Sequence, residues 1–531
     1  MSPEIYLDTN ATTPVLPAAL AAACRAMQET YGNPSSSHSS GLVAQDLRES
    51  VRRKAADLIG AGSGKLLFVS GATEGIQTAV LSGLCALRER RTAGDTRAQL
   101  LVYGATEHKA VPESLAYWNQ LLGLNLEIRA LPVDANGLHD LQLLQSWAGE
   151  IGLLCTMAAN NETGVVSDIA GIEHVLERTG STALWLVDCV QALGKLALDL
   201  QSTRIDYAPF SGHKLYAPKG IGMLYVRSGA PYSPLMVGGG QEDGARSGTE
   251  NMPGIAALGA VLDALARGDT LRSSSELVHF RDQLVQAIRV AFPEVVFNAP
   301  LAQVLPTTLN FSVPDLSSRM LLDLFDAAGL RISSGSACSA AKAAPSFVLQ
   351  AMGLPEWRTT SAIRLSFGAL VDEDFITRAC TAIRQCGDVL RANARNTVSR
   401  PTTAVGASVV TANTDASDDI DTDHGLAPAL NWNEVEQLLL DDPDALLVDV
   451  REAYEYAAAA PLCSAGKTAQ NLPLSELELA VPHWLAEHRH PVVFFCRSGN
   501  RSLRALHTVQ EQGQLFGRHL AGGLALGYRP H

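Results

Sequence analysis

Two separate stretches of the sequence combine residue types that can carry out covalent chemistry. The first is SGHK at 211–214, in which Lys214 follows a histidine and precedes a Gly/Pro-rich loop. A lysine amine in such a setting can form a Schiff base with an aldehyde cofactor. The second is Cys496, which ends an apolar run and is followed by the short polar loop RSGNR and a helix-like segment. Backbone N–H groups and a helix dipole around one sulfur stabilise a thiolate or a persulfide.

Two further features accompany Lys214. The apolar run KLLFVS leads into GATEG at 71–75, whose small residues and hydroxyl begin a helix and offer free backbone N–H groups to a phosphate. The apolar run ALWLVD ends in Asp188, whose carboxylate suits a cationic ring nitrogen. Taken singly, GATEG also fits an ordinary strand–helix turn, and Asp188 also fits a helix N-cap. Together with Lys214 they supply the three parts that a pyridoxal phosphate (PLP) enzyme needs.

An α/β fold is predicted to position these residues. Apolar runs at 65–70, 99–104, 151–158 and 183–188 are each followed by a polar turn and a segment of helical length. This alternation predicts a mostly parallel sheet covered by helices on both faces, with ligands at the carboxyl ends of its strands. The C-terminal part repeats the pattern on a smaller scale. Its predicted strands are Ala445–Val450 and Pro491–Cys496, and its predicted helices are Asn433–Leu440 and Ser502–Gln512.

The composition excludes several classes of protein. A chain of 531 residues that is 47% apolar can bury sizeable cores, which excludes a wholly disordered chain and suggests about three domains. The formal net charge of −14 lacks the basic footprint of a nucleic-acid binder. Because no run is long and apolar enough to span a membrane and no secretory signal begins the chain, we expect a location in the cytoplasm, away from membranes.

The cysteines predict neither a disulfide scaffold nor a metal site. The chain has nine, an odd number at low density, and no CxxC pair occurs. Most of them, such as Cys155, are expected to be buried thiols without a chemical role. Cys338 and Cys496 differ because of their neighbours.

The chain is expected to divide at an acidic segment. Residues 393–430 include a stretch with five Asp and no Lys or Arg, which predicts a flexible linker. It separates a first part, 1–392, from a compact domain at 431–531. We expect the first part to consist of a large domain at about 15–260 and a smaller α/β domain at about 261–392, which also takes up the N-terminal segment.

The first part resembles the cysteine desulfurases of nitrogen fixation and iron–sulfur assembly, which are fold-type I PLP enzymes. The segments that carry the resemblance follow the family order across residues 4–392: YLDTNATTP, NPSSSHSSG, SGATEG, EHKAV, NNETGVV, VDCVQALGK, SGHKLYAPKG, RSGTENMPG, SSGSACS and SAIRLSFG. The resemblance implies that Lys214 is the Schiff-base lysine and that Asp188 pairs with the ring nitrogen. The residues that it implies for the phosphate are Ala72, Thr73, Ser211 and His213.

The same resemblance implies roles for further side chains. Gln191 and Asn161 would contact the ring hydroxyl of PLP, and His108 would stack on the pyridine and take part in proton transfer. Arg364 would bind the substrate α-carboxylate, because its planar guanidinium matches a carboxylate with two hydrogen bonds. The family also implies a homodimer, in which Thr249 reaches the phosphate of the neighbouring subunit.

Cys338 is implied to be the residue that takes sulfur from the substrate. It lies among Ser, Gly and Ala residues in SSGSACS, and its thiolate would be the nucleophile. The reaction would convert L-cysteine to L-alanine and leave a persulfide on Cys338, for transfer to an acceptor protein or a small thiol. A selenocysteine lyase or a cystine C–S lyase on the same scaffold is the alternative.

The C-terminal part resembles a single-domain rhodanese over residues 431–528, through LLVDVREAYEY, QNLPLSEL and HLAGGLALGY. The residues of its active-site loop are Arg497, Ser498, Gly499, Asn500 and Arg501. A phosphatase-like loop would place Arg six positions after Cys496, whereas Arg501 is five positions on, and the shorter loop fits a sulfur atom better. Asp449 and Arg451 are expected to be structural, and the role of Cys463 is open. We expect Cys496 to accept sulfur from Cys338; a domain that only docks an acceptor protein is the alternative.

Overall fold

The structure, a computed structural model, describes residues 4–335, 345–398, 429–459, 462–477, 490–512 and 516–527. The chain packs into two compact units. One comprises Tyr6–Leu322 and Arg331–Arg378, and we call it the large unit. The other comprises the N-terminal residues up to Ile5, Asp323–Leu330 and Ala379–His531, and we call it the small unit.

The helices and strands of the described residues are numbered in chain order. The strands are Ile5–Tyr6 (β1), Lys65–Val69 (β2), Leu100–Gly104 (β3), Glu127–Leu131 (β4), Ile151–Met157 (β5), Leu184–Asp188 (β6), Tyr207–Ser211 (β7), Gly222–Val226 (β8), Val296–Phe297 (β9), Thr308–Ser312 (β10), Leu330–Arg331 (β11), Ile363–Ser366 (β12), Leu446–Asp449 (β13), Cys463–Ser464 (β14), Lys467–Thr468 (β15), Gln470–Asn471 (β16), Val492–Phe495 (β17) and Gly517–His519 (β18). The α-helices are Pro17–Gln28 (α1), Ser39–Ile59 (α2), Ala72–Thr92 (α3), Ala110–Leu121 (α4), Leu141–Trp147 (α5), Ile169–Arg178 (α6), Met252–Arg267 (α7), Ser274–Ala291 (α8), Ser318–Ala327 (α9), Phe347–Ala351 (α10), Glu356–Thr360 (α11), Glu373–Val398 (α12), Trp432–Asp441 (α13), Ala453–Ala458 (α14), Asn500–Glu511 (α15) and Gly523–Gly527 (α16).

A seven-stranded sheet forms the centre of the large unit. Its strand order is β2-β8-β7-β6-β5-β3-β4, and every neighbouring pair is parallel except those that β8 makes with β2 and β7. The four apolar runs predicted as strands form β2, β3, β5 and β6, so that prediction is confirmed. Their residues are buried on both faces of the sheet, because two separate hydrophobic clusters cover it.

A second, antiparallel sheet in the large unit carries Arg364. Its order is β12-β10-β9, and Arg364 on β12 lies opposite Asn310 on β10. Both strands are fully buried. A rigid strand therefore holds the guanidinium of Arg364.

The small unit contains the second α/β sheet, an all-parallel one with the order β16-β13-β17-β18. The predicted strands correspond to β13 and β17 and the predicted helices to α13 and α15, each within two residues of the expected bounds. Residues of α15 pack on one face and residues of α13 on the other. This arrangement places Cys496 directly after the central strand β17.

The predicted linker at 393–430 lies mostly outside the described residues. Its first part is helical, because α12 continues to Val398. The linker was predicted to start at residue 393, whereas the chain is helical up to Val398. Among the described helices, none is long and apolar enough to cross a membrane.

Candidate active site

One cavity of about 550 Å³ lies at the carboxyl ends of the strands in the seven-stranded sheet. It collects side chains from β5, β6 and β7 and from the residues that directly follow β2, as expected at the carboxyl ends of strands. The residues predicted for the site that line it are Ala72, Thr73, His108, Asn161, Asp188, Gln191, Ser211, His213, Lys214 and Arg364. The structure thus brings together residues that are spread over almost 300 positions of the sequence.

Lys214 stands in a 3-10 turn, Gly212–Lys214, that directly follows β7. Burial lowers the pKa of its amine, and the nearby Arg364 guanidinium lowers it further, whereas Asp188 and Asp8 act in the opposite direction. A lowered pKa increases the fraction of neutral amine at neutral pH. The neutral amine is the form that attacks a carbonyl carbon.

Asp188 is the last residue of β6, and its side chain is buried. Its carboxylate accepts a hydrogen bond from the Val190 N–H at 2.9 Å. Burial raises the pKa of Asp188; the Val190 N–H, Lys214 and His108 only partly offset this effect. A cationic partner in the cavity would stabilise the ionised form of this buried carboxylate.

The start of α3 forms part of the wall of the cavity. Gly71 precedes the helix, and a Cβ added there would meet no atom within 4 Å, so the approach to the first N–H groups is open. Glu74 accepts a hydrogen bond from the Ser70 N–H at 2.7 Å, and its carboxylate is paired with Arg246 at 2.9 Å. A helix N-terminus with an adjacent hydroxyl at Thr73 can bind a phosphate.

These residues fit PLP in size and in chemistry. The cavity volume is that of a small-molecule site. Its donor groups lie at the α3 N-terminus, its buried acid is Asp188, and its amine is Lys214. The cofactor needs one of each.

His108 lies at the mouth of the cavity and is exposed. Its Nδ1 accepts a hydrogen bond from the Ala110 N–H at 3.2 Å. The surrounding protein excludes enough water to lower the pKa of the imidazole; Lys214 and Lys109 lower it further, and Asp188 opposes them. The neutral ring that results at neutral pH can accept a proton.

Arg364 is 2% exposed. It contacts Asp8, for which the sequence predicted no role, and Asn161, which was predicted only to contact the ring hydroxyl of PLP. Its Nη2 donates to Asp8 Oδ1 at 2.6 Å, and its Nη1 donates to the Asn161 carbonyl oxygen at 3.0 Å. Among the described residues, Nε has no hydrogen-bond partner. The guanidinium is therefore fixed before any substrate arrives, and it retains donors for an anion.

Two residues in the YLDTNATTP segment take part in the site without having been assigned a role. Asp8 pairs with Arg364, and Asn10 lines the cavity. The Asn10 Nδ2 donates to the Asn161 carbonyl oxygen at 3.2 Å and to Thr308 Oγ1 at 2.9 Å. The agreement of this segment with the family pattern was the only signal in the sequence that could have indicated them.

Thr249 and Cys338 differ from the other predicted residues. Thr249 is exposed and is not among the residues that line the cavity of its own chain. Cys338 lies outside the described residues. Gly335, directly before the undescribed segment 336–344, and Ser346, two residues after it, are buried and both adjoin Glu162.

The contacts at Glu162 are close. Ser346 Oγ donates to Glu162 Oε2 at 2.7 Å. Gly335 has a φ of +113°, and a Cβ added to it would lie 2.7 Å from the same oxygen. Glu162 directly follows Asn161, which lines the cavity. The chain on both sides of residues 336–344 is therefore anchored next to the lysine cavity.

In the small unit, the loop after β17 surrounds Cys496, whose side chain is buried. The Gly499 N–H donates to the sulfur at 3.2 Å, and Ser502 Oγ lies 3.7 Å from it. Gly499 directly precedes α15 and has a φ of +96°, a conformation that favours glycine. The backbone is thus bent so that an N–H at the start of a helix faces the sulfur.

The two arginines of the loop are both paired with carboxylates. Arg501 pairs through both terminal nitrogens with Glu455, at 2.5 and 2.9 Å. Burial opposes the charge of Arg501, but Glu455 raises its pKa above the usual value. Arg497 pairs with Asp323 and Asp326 of the same unit, at 3.1 and 2.9 Å. Each guanidinium is neutralised by carboxylates that the loop sequence does not contain.

Asp449 and Arg451 are buried and paired at 2.6 Å. Asn471 donates to the carbonyl oxygens of both. These contacts hold the chain after β13, in agreement with the expected structural role. Cys463 is exposed, with its sulfur 3.4 Å from Thr468 Oγ1.

The fold and these two sites define a fold-type I α/β protein with a C-terminal rhodanese-like domain. The profile of the aminotransferase class-V family matches residues 5–378, and that of the rhodanese-like domain matches residues 431–526. The chain belongs to the aminotransferase class-V family, whose members depend on PLP, and carries a rhodanese-like domain after it.

Individual proteins resemble the first part of the chain. A cysteine desulfurase from Nostoc sp. (strain PCC 7120 / SAG 25.82 / UTEX 2576) is 37% identical over 391 residues, which cover 73% of this chain and 94% of that protein. A solved NifS-like protein superposes with a TM-score of 0.63 at 30% identity, covering 73% of this chain and all of the other. The solved structure of SspA in complex with cysteine superposes with a TM-score of 0.58 at 27% identity, covering 68% and 99%.

Proposed function

We propose that this protein is a PLP-dependent cysteine desulfurase that passes sulfur from L-cysteine to Cys338 and then to Cys496. The observation that carries the proposal is the single cavity in which Lys214, Asp188 and the α3 N-terminus meet. The similarity to cysteine desulfurases, and to a structure solved with cysteine, supports cysteine as the substrate.

PLP, when bound, supplies an electron sink through its protonated pyridine ring. Within the proposal, Asp188 holds the proton on the ring nitrogen, and Lys214 provides the amine that attaches the cofactor. Thr73, Ser211 and His213 hold the phosphate, together with backbone N–H groups at Ala72 and the start of α3. His108, neutral at neutral pH because of its lowered pKa, accepts and returns a proton at the mouth of the cavity.

Arg364 is proposed to bind the α-carboxylate of the substrate. Its position on a buried strand and its bonds to Asp8 and Asn161 fix the orientation of the guanidinium before binding. A fixed donor pair reduces the entropy that binding would otherwise cost. Gln191 and Asn161 line the same part of the cavity and are proposed to contact the ring hydroxyl.

The sulfur is proposed to move in two steps. In the first, the Cys338 thiolate attacks the sulfur of L-cysteine, an S–S bond forms, the Cβ–S bond of the substrate breaks, and the carbon gains a proton and leaves as L-alanine. In the second, the Cys496 thiolate attacks the outer sulfur of that persulfide, a new S–S bond forms, and Cys338 leaves as a thiolate. The Gly499 N–H at 3.2 Å from the Cys496 sulfur supports the second step, because such a donor stabilises the attacking thiolate.

The remaining parts of the proposal rest on the family pattern. We include a homodimer, with Thr249 reaching the phosphate in the neighbouring subunit, and a cytoplasmic location. The division into 1–392, the linker and 431–531 also belongs to the proposal, with the start of the linker moved beyond Val398. The final acceptor is a protein or a small thiol that serves iron–sulfur cluster or other sulfur-compound synthesis.

Borohydride reduction of the purified protein, followed by peptide mapping, tests the attachment of the cofactor. We expect a pyridoxyl group on Lys214; a label on Lys219 or Lys195 would refute the assignment. Cys338→Ser should abolish L-alanine formation with a thiol acceptor while PLP stays bound, and near-normal turnover would refute the mechanism. Faster turnover of selenocysteine or cystine than of cysteine would favour the alternative lyases.

A further inference from the structure

The side-chain amide of Gln191 is held by two residues outside the proposed cofactor contacts. Lys195 Nζ donates to Gln191 Oε1 at 2.6 Å and to Asn10 Oδ1 at 3.2 Å. The Gln191 Nε2 donates to the Asn10 carbonyl oxygen at 3.2 Å. Because a lysine ammonium can only donate and a carbonyl oxygen can only accept, these contacts fix the orientation of the amide. The second N–H of Nε2 is the group that remains for the cavity.

Lys195 can fill this role in either protonation state. Its ammonium end is buried, and this burial, together with the charges of Lys214 and Arg364, lowers its pKa to about 7. A neutral amine still carries two N–H groups, enough for the oxygens of both Gln191 and Asn10. The orientation of Gln191 is then kept by its Nε2, which donates to the Asn10 carbonyl oxygen, a group that can only accept.

Lys195 also adjoins Lys214. The two side chains line a small cavity of about 20 Å³ behind the site. Such a volume accepts one water molecule but not a larger group. A substitution of Lys195 must therefore be no larger than lysine if it is to test the hydrogen bonds alone.

We propose that Lys195 is a positioning residue that fixes the Gln191 amide so that an N–H donor faces the ring oxygen of the cofactor. The inference rests on the proposed function, because it assumes that PLP occupies the cavity beside Lys214. An amide free to rotate would also present its carbonyl oxygen, which repels an anionic ring oxygen. Asn10 completes the support, since it accepts from both Lys195 and Gln191.

PLP binding to the cofactor-free protein, titrated by fluorescence, tests this role without reference to turnover. We expect Lys195→Met to raise the PLP dissociation constant about tenfold, the effect of losing one oriented hydrogen bond. Lys195→Gln retains a donor without a charge and should recover most of the affinity. The control is Lys54→Met, which removes a half-exposed lysine that is paired with Asp263. This variant should bind PLP like the parent.

A double-mutant cycle separates positioning from a general structural effect. If Lys195 acts through Gln191, Lys195→Met should cause no further loss in a Gln191→Met background, and each single variant should shift the absorption band of bound PLP in the same direction. Thermal unfolding and far-ultraviolet circular dichroism verify that the variants fold. Equal affinity of Lys195→Met and the parent would overturn the inference, as would effects that multiply in the double variant. Failure of the parent itself to bind PLP would overturn the proposed function and this inference with it.

Discussion

The lysine cavity of the large unit and the Cys496 loop of the small unit would both handle sulfur, but they are built from different groups. The cavity contains side chains that carry charge or protons, among them Lys214, Asp188 and Arg364. In the loop, the group that contacts the sulfur most closely is a backbone N–H, that of Gly499. Both loop arginines are paired with carboxylates.

This difference matches the two proposed tasks. Release of sulfur from cysteine requires protons to move, which side chains with shifted pKa values can do. It also requires a carboxylate to be bound, which a guanidinium can do. Transfer of sulfur between two cysteines requires only that a thiolate or a persulfide be stabilised, which oriented N–H groups can do. The comparison predicts that single substitutions of charged residues will affect activity in the cavity and stability in the loop.

The largest effect is expected for Lys214→Ala. L-alanine formation from L-cysteine should fall on the order of a thousand-fold or more, because the proposal gives Lys214 the amine that attaches the cofactor. Lys65→Ala, at an exposed position of β2, is the control and should retain activity. Activity of Lys214→Ala within tenfold of the parent would contradict the assignment of the lysine.

A smaller loss is expected for Arg364→Met. The KM for L-cysteine should rise about a hundred-fold, since a buried charged partner of the carboxylate is lost and Asp8 is left unpaired. Arg364→Lys retains the charge without the planar group and should fall between this variant and the parent. An unchanged KM in both variants would show that the substrate carboxylate binds elsewhere.

The loop is expected to respond in stability. Arg501→Met leaves the buried Glu455 carboxylate without its partner, which should lower the free energy of unfolding around β17 by about 3 kcal/mol. Hydrogen exchange of peptides that contain β17, measured on the full chain, gives this quantity. The double variant Arg501→Met/Glu455→Leu should recover most of the loss. Equal protection in the parent and Arg501→Met would contradict the role given to this ion pair.

Gly335→Ala, which changes the residue directly before the segment that contains Cys338, should have the smallest effect on activity. A methyl group there would lie 2.7 Å from Glu162 Oε2 at a φ of +113°, so we expect L-alanine formation to fall about tenfold while PLP remains bound. Gly353→Ala is the matched control. Gly353 also has a positive φ, but a Cβ added there would have no other atom within 4 Å. Equal losses in both variants would attribute the effect to backbone strain alone.

The parts of the structure that follow from local sequence could be predicted. Continuous apolar runs identified β2, β3, β5 and β6, and the residues after them identified Asp188 and the α3 N-terminus. Contacts between distant residues could not be predicted. Asp8 and Arg364 are 356 positions apart, and Arg501 and Glu455 are 46 apart, with no local pattern to connect them. For that reason the loop sequence alone did not indicate the carboxylates that pair with its arginines.

The proposed transfer from the cavity to the loop can be tested directly by mapping persulfides after incubation with isotopically labelled L-cysteine. The full chain is alkylated and digested, and the peptides with Cys338 and Cys496 are analysed by mass spectrometry. We expect labelled sulfur on both cysteines in the parent, on Cys338 alone in Cys496→Ala, and on neither in Cys338→Ser. With excess dithiothreitol, Cys496→Ala should form L-alanine as fast as the parent. A parent that carries label on Cys338 but none on Cys496 would contradict the transfer and leave the rhodanese-like domain as a docking module.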